Sequence, residues 1–402
     1  MKLKVLVLYQ YFGTPKGSWS TRMYEMCKIW IEAGADVTVV TSPYDKSDLR
    51  SESFISRQEI EGIKLIIINS GDSNRHSTLK RVYRSLLFSF VSSVFAVFLR
   101  ADVLIASSGP ITIGIPGLIG TLFSKKKLVF EVRDLWPGGA IEMGLIRNEF
   151  VKSTFSKFEK LCYTRSSLVV PCSIGMEENI LQRFPKLKTL VVPNASDIDF
   201  FQNTDNESFL YPEWLKENTK LFLYTGSLGL MDACEEIISG FNLLDQKPVN
   251  THLVFIGDGV ERVLLERMVK ELELEENVHF LGLIPKSDVA KWYKKATASF
   301  VVFKNFEILG TSSPNKMFDS LAAGVPIIQN TTGWIHRLVE ERKIGINVEP
   351  NNSSSMSNAM SKFMNDEFDM SDLRINSLQC AKEMFDRKEI AMRYLHGLSS
   401  LQ

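Results

Sequence analysis

Net charge is missing from this chain: over 402 residues, 47 Lys and Arg balance 47 Asp and Glu. That balance removes the basic signature of a general nucleic-acid binder. Cysteine is scarce and scattered. Cys27, Cys162, Cys172, Cys234 and Cys380 form no CxxC pair, so neither a disulfide framework nor a zinc cluster is expected, and a reducing cytosol is the simplest home. The five histidines show no ligand spacing. Long apolar runs are also lacking. The longest, Leu86 to Leu99, is 14 residues and broken by serines, whereas a spanning helix needs about 20, so no transmembrane segment is expected. The opening MKLKVLVLYQYFG holds a short apolar run with no A-x-A site after it, which reads as a first strand and not as a leader. No GxGxxG follows a strand, and the second strand closes on Thr41 without an acid, which argues against a nicotinamide site.

What is present is a globular composition, 45% hydrophobic and 23% charged, in a chain long enough for two or three domains. Short β-branched runs alternate with amphipathic stretches throughout. The first half carries them at 5–9, 37–41, 64–69, 103–107, 127–132, 168–172 and 190–194, and the second at 221–226, 252–257, 278–282, 298–303, 325–329 and 345–349. Apolar strands separated by helices imply parallel sheets covered on both faces, the doubly wound α/β arrangement. The polar, aperiodic stretch Ala195–Lys220 has the composition of a linker. Two domains are therefore expected, 1–198 and 199–385, with a helix over 386–402 as a candidate to pack back on the first. Two such sheets would present their carboxyl strand ends to a shared central cleft, where ligands bind.

The most informative window is TSSPNKMFDSLAAGVPII, Thr311–Ile328. Ser-Ser-Pro opens a helix that carries Lys316 and Asp319, and Gly324 ends it. Unpaired amides and a positive dipole end make a helix start receptive to phosphate, and an exposed Lys316 would add a full charge. Asp319 lies three residues on and shares that face, where it could accept bonds from sugar hydroxyls. An ordinary capped helix with a Lys316–Asp319 ion pair explains the same residues.

The helix ending in DSLAAGVPII resembles the nucleotide-binding helix of the group-4 retaining glycosyltransferases of the GT-B fold, whose usual form is E-A-M-A-x-G-x-P-V-V. The likeness runs through GTPKGSWSTRMYEM (13–26), EVRDLWPGG (131–139), PNASDIDFF (193–201), YTGSLGLMDACEEII (224–238), FIGDGVE (255–261) and FLGLIPKSDVAKWY (280–293). DLWP with SPNK is most similar to the branch that builds bacterial O-antigen and capsule sugars. The resemblance implies two Rossmann-like domains, the second holding the donor. Asp319 matches the second acid of the family's E-x7-E motif, which binds ribose hydroxyls, while Thr311 stands where the first acid grips the sugar. The G-x-L turn, Gly226-Ser227-Leu228, lacks the usual cations, which makes Lys316 the substitute diphosphate ligand. Backbone near Gly17, Ser18, Ser227 and Ser312 would assist it, with Gly257, Ser313 and Asn315 completing the phosphate and sugar contacts. Leu283 and Ile284 match the turn that holds the base. Arg133 and Asp134 stand where many relatives have a histidine near the transferred sugar. Asp134 would orient an acceptor or sugar hydroxyl, unless it only pairs with Arg133 or caps a loop. The Asp197-Ile198-Asp199 triplet aligns with the domain-joining PNGVD of the family and not with a metal-binding DxD, and Gly257-Asp258-Gly259 continues without a dinucleotide fingerprint.

The resemblance implies transfer of a hexosyl or N-acetylhexosaminyl group, with retention, from a UDP-linked donor to a polyprenyl-diphosphate-linked or glycan acceptor. Front-face attack assisted by the leaving diphosphate needs neither a metal nor another cofactor. A UDP-sugar 2-epimerase of the same fold and a non-catalytic two-domain binding protein are the alternatives. One further feature comes from charge alone. Residues 1–200 hold 26 Lys and Arg against 19 acids, and 201–402 hold 21 against 28. Between Ser73 and Ala101 there is no acid, but Arg75, Lys80, Arg81, Arg84 and Arg100 flank an apolar stretch. A basic apolar helix of this kind suits an anionic membrane interface on the cytoplasmic side, or a buried core position.

Overall fold

Buried β-branched strands joined by helices pair in parallel, since the crossover helix carries the chain back to the end of the sheet where the previous strand began. The computed structural model describes every residue except 1, 18–19, 74–75, 123, 205–208 and 245–249. It divides the chain into two units, Met1–Pro193 with Lys388–Gln402, and Asn194–Arg387. The break thus falls before Asn194 and not after residue 198, and the returning C-terminal segment begins at Lys388.

The first unit contains β1 (Lys4–Leu8), β2 (Asp36–Thr41), β3 (Ile55–Ile60), β4 (Ile63–Ile68), β5 (Val103–Ser107), β6 (Lys127–Val132) and β7 (Leu168–Pro171), in the order β3-β4-β2-β1-β5-β6-β7. Every pairing is parallel but one. β3 runs antiparallel to β4 through a turn with Glu61 and Gly62 at φ 47° and 81°. Its sequence, ISRQEI, is largely exposed, the polar dress of an edge strand, so it lacks the apolar signal that marks the others. Conversely, LVVPN at 190–194 is not a strand. Its backbone follows β7, with Leu190 N–H donating to the Val169 carbonyl at 3.1 Å and Val192 N–H to that of Pro171 at 3.0 Å. Pro171 and Pro193 supply no amide, so no regular ladder forms.

Two features tie this unit together. Arg22, at the start of the helix Arg22–Glu32, is buried against Glu131 of β6 at 3.0 Å and donates to the Val192 carbonyl at 2.7 Å. Ser107 of β5 donates to the other Glu131 oxygen. The last helix, Arg387–Ser399, packs onto the first: the Trp30 indole N–H donates to the Ala391 carbonyl at 2.9 Å, and Trp30 meets the Tyr394 ring edge-on at 5.2 Å.

The helix Thr78–Phe98 is unusual in which face it buries. Ser85, Ser89, Ser92, Ser93 and Ala96 are buried with Phe88, and the Ser89 and Ser93 hydroxyls return to carbonyls one turn back. Small side chains let the helix Gly114–Leu122 approach closely: a Cβ on Gly120 would lie 2.7 Å from that of Ala96. Leu79, Val82, Tyr83, Phe90, Val94 and Phe98 are left exposed. Leu79–Phe98 is 20 residues, long and apolar enough to cross a membrane by length and composition alone, a test that a core helix also passes. Lys126 caps its C-terminal carbonyls of Ala96 and Val97 at 2.6 and 2.9 Å.

The second unit is a wholly parallel sheet of β8 (Lys220–Thr225), β9 (Thr251–Ile256), β10 (Val278–Gly282), β11 (Ala298–Val301), β12 (Ile327–Gln329) and β13 (Gly345–Asn347), ordered β10-β9-β8-β11-β12-β13. The stretch expected as linker is partly ordered onto this unit: it forms the helix Ile198–Gln202, and Trp214 stacks on His252 and His279 at 4.4 and 4.1 Å. The two imidazoles share a hydrogen bond of 3.0 Å. Burial, reinforced by His252, pushes the His279 pKa down to about 4, and burial lowers His252 as well. Below the ordinary value of 6.5 the unfolded chain therefore binds protons that the folded unit refuses. Stability of this unit is expected to be full above pH 6.5 and to decline as pH falls towards 4. Denaturant midpoints measured across that window should show the decline, and His279→Phe, which keeps the stacking surface, should flatten it.

Candidate donor-binding site

Most sequence-predicted residues of the second unit follow the carboxyl ends of four adjacent strands, β10, β9, β8 and β11, with β10 at the sheet edge. Gly226 and Ser227 follow β8, Gly257 follows β9, Leu283 and Ile284 follow β10, and Thr311 to Lys316 lie beyond β11. The loops are sewn to one another by main-chain bonds: Gly226 N–H donates to the Ile256 carbonyl at 2.9 Å, Gly257 N–H to Gly282 at 2.9 Å and Leu228 N–H to Asp258 at 3.2 Å. Side chains are excluded between them. A Cβ on Gly257, at φ 142°, would fall 1.7 Å from the Gly226 oxygen, and one on Gly259 would fall 2.1 Å from the Leu228 oxygen. The base of the site is therefore bare backbone. Leu283 stands out from it, 72% exposed.

Lys316, in the first turn of the helix Asn315–Ala322, is not the exposed cation expected from the sequence. Only 9% of its side chain is accessible. Its ammonium donates to the Tyr224 hydroxyl at 2.6 Å and to Asp232 at 2.8 Å, and it sits 4.2 and 5.1 Å from the ring centres of Tyr224 and Phe303. Tyr224 in turn donates to the Ser227 carbonyl at 2.6 Å. Burial lifts its phenol well above the usual range, with Cys234 and Asp232 adding to the rise, so it remains protonated. Tyr224, Asp232 and Phe303 escape a sequence reading: two look like ordinary apolar strand and post-strand residues, and the acid lies 84 positions from its lysine.

Asp319 does not pair with Lys316. Its carboxylate accepts from the Ser196 hydroxyl at 2.6 Å, with the Lys286 ammonium at 3.9 Å, and keeps 22% of its side-chain surface exposed. Asn194 binds the Ser313 carbonyl at 2.7 Å, and the Trp334 indole binds that of Ser312 at 2.8 Å, fixing the entry to the helix. The Ser312 amide donates to the Leu309 carbonyl at 3.1 Å, and the Thr311 hydroxyl bonds the Ile308 carbonyl at 2.7 Å inside the 3-10 turn Glu307–Thr311. Asn315 is exposed.

Four predicted residues lie in the first unit. Gly17 closes the loop after β1, where a Cβ would lie 2.9 Å from the Asp48 amide nitrogen; Ser18 lies outside the described residues. Arg133, after β6, turns to the Tyr9 hydroxyl and to Ser20, with its guanidinium 5.0 Å from the Tyr9 ring centre. Asp134 beside it is exposed.

Sequence comparison supplies the family. Residues 17–195 match the glycosyl transferase 4-like domain, and residues 209–379 match glycosyl transferases group 1. The chain belongs to the group 1 glycosyltransferases. A similar characterised relative is the N-acetylgalactosamine-N,N'-diacetylbacillosaminyl-diphospho-undecaprenol 4-alpha-N-acetylgalactosaminyltransferase of Campylobacter jejuni, 27% identical over 63% of this chain and 66% of that one. The chain spans between about a third and two thirds of the length of the curated relatives it matches first. Among solved structures, sucrose-phosphate synthase from Thermosynechococcus elongatus matches with a TM-score of 0.77 at 16% identity, covering 100% and 99% of the two chains. The Anabaena HepE protein in complex with UDP-glucose matches at 0.68 and 16%, covering 99% and 100%. These likenesses identify the GT-B type of architecture.

The backbone contact beneath the site yields a direct test. Gly257→Ala should destabilise the protein by at least about 2 kcal/mol, because both its dihedral angle and its neighbour oppose a methyl group. The check is a thermal melt, in which an unchanged midpoint would refute the contact.

Proposed function

We propose that this glycosyltransferase moves a hexosyl or N-acetylhexosaminyl group, with retention, from a UDP-sugar to a polyprenyl-diphosphate-linked or glycan acceptor in surface polysaccharide synthesis. The observation that carries the donor half is Lys316, held at a helix start beside bare strand-end backbone. Such a cation stabilises the negative charge that develops on a departing diphosphate. In this reading Asp319 takes the ribose hydroxyls, and Leu283 and Ile284 lie against the base. Backbone at Gly226, Ser227 and Gly257, with Ser313 and Asn315, surrounds phosphate and sugar. Gly17 and Ser18 assist at the phosphates, and Arg133 and Asp134 orient an acceptor or sugar hydroxyl. No metal is called on, since Lys316 and amides carry the charge. The UDP-glucose complex of a similarly folded protein and the lipid-linked acceptor in the name of the Campylobacter relative support the two substrate classes.

A sugar-nucleotide panel in a thermal-shift assay tests the donor, with UDP-sugars expected to stabilise the protein most. Lys316→Met should lower turnover by roughly a hundredfold. It should also cost stability, because it strands Asp232 without its partner. Full turnover in a folded variant would remove Lys316 from the site.

The acceptor half of the proposal includes peripheral contact with a cytoplasmic membrane face. Its support is the apolar row of the helix Thr78–Phe98, more than its cations. Arg84 binds the carbonyls of Ser70 and Gly71, and Arg81 lies 3.7 Å from Asp72, while Arg75 is outside the described residues. Replacing Phe90, Val94 and Phe98 by Ser should release the protein from anionic vesicles in flotation, and Lys80→Ser should matter less. Equal flotation of parent and triple variant would exclude this face.

A further inference from the structure

Asp232 sits in the turn after β8, Gly226–Ala233, the segment in which the family resemblance would place cations. It faces Lys316 at 2.8 Å with 11% of its side chain exposed. Its second oxygen accepts from the Gly229 amide at 3.3 Å, and it precedes the helix Cys234–Asn242 by two residues, where a carboxylate is favoured by the helix dipole. Its position is therefore set independently of Lys316. The position of Lys316 is likewise set without Asp232. Because the Tyr224 hydroxyl gives its proton to the Ser227 carbonyl, only its lone pair faces the ammonium, which the rings of Tyr224 and Phe303 also flank. What Asp232 alone contributes is negative charge.

We infer that Asp232 is a built-in counter-ion for Lys316, a positioning residue that neutralises the buried cation in the free protein and limits the grip of the site on a diphosphate. The inference rests on the proposed UDP-sugar reading. An ammonium has three N–H donors. Two are taken by Tyr224 and Asp232, and among the described residues the third has no partner. An incoming phosphate oxygen meets that donor and competes with the carboxylate for the same charge. The acid thus weakens binding of substrate and of released UDP alike, which favours turnover over retention of product.

Titration calorimetry with UDP on the full chain tests this, using the parent, Asp232→Asn, Asp232→Glu, Lys316→Met and the Lys316→Met/Asp232→Asn double variant. Asp232→Asn should bind UDP about tenfold more tightly at low salt, a coupling typical of directly paired charges, and less so at high salt. Its melting temperature should fall without ligand and rise more than that of the parent when UDP is added. Asp232→Glu should keep the parent affinity, and in the Lys316→Met background Asp232→Asn should change nothing. Equal or weaker UDP binding by folded Asp232→Asn overturns the inference, as does the same tightening without Lys316. Should Asp232→Asn fail to fold, Asp232→Ser is read by the same criteria. A parent protein that does not bind UDP refutes the UDP-sugar reading itself, a different outcome from any of these.

Discussion

The site in the second unit depends on one close approach, the Gly226 carbonyl lying where any side chain at residue 257 would have to be. Parallel strands normally diverge into independent loops at their carboxyl ends, but here the main-chain hydrogen bonding continues past the ends of β8 and β9, through Gly226, Gly257 and Leu228. Glycine makes this possible by tolerating a φ of 142° and by leaving room for a carbonyl. The result is a close-packed main-chain base, which Lys316 of the neighbouring helix reaches through the Tyr224 hydroxyl bonded to the Ser227 carbonyl, with Leu283 exposed after β10. A polar ligand meeting such a platform encounters fixed dipoles with little freedom to relax, the condition under which electrostatic stabilisation is strongest.

Among the described residues, each unit holds an ion pair whose two side chains are both largely buried, Arg22–Glu131 and Lys316–Asp232. Arg22 spends its guanidinium on Glu131 and on the carbonyls of Val192 and Pro193, which fastens the end of the first unit to its central strands. A pair so fully enclosed has value as a specific clasp more than as net stabilisation, since desolvation offsets much of the attraction. Lys316 and Asp232 are also nearly enclosed, yet each is anchored by neighbours of its own, and the pair can open without either residue moving far.

The architecture was legible because most strands are buried along nearly their whole length, which leaves an unbroken apolar run in the sequence. β3 was not, since ISRQEI presents mostly exposed residues and owes its conformation to β4. LVVPN misleads in the opposite direction: its composition is that of a strand, but the prolines break its pairing. Within the site, Lys316 and Asp319 could be found because a helix start has a local signature. Their partners could not. Asp232, Tyr224 and Ser196 come from distant segments, and Ser196 lies in a stretch whose polarity marks it as linker. The helix Thr78–Phe98 was legible as a helix but not in its orientation. Its serines look like interruptions of an apolar face, whereas they are the face that packs, because only small side chains permit the approach of Gly120.

The contact between Trp30 and the final helix carries a consequence for biosynthesis. The first unit is discontinuous, closed only by Lys388–Gln402, so its indole donor waits for the Ala391 carbonyl until every residue of the second unit has been translated. The order of emergence from the ribosome and the order of completion are therefore reversed. The later-made unit can reach its final packing while the earlier one still lacks a helix, and a lesion in the last fifteen residues is felt by the unit farthest from it in sequence.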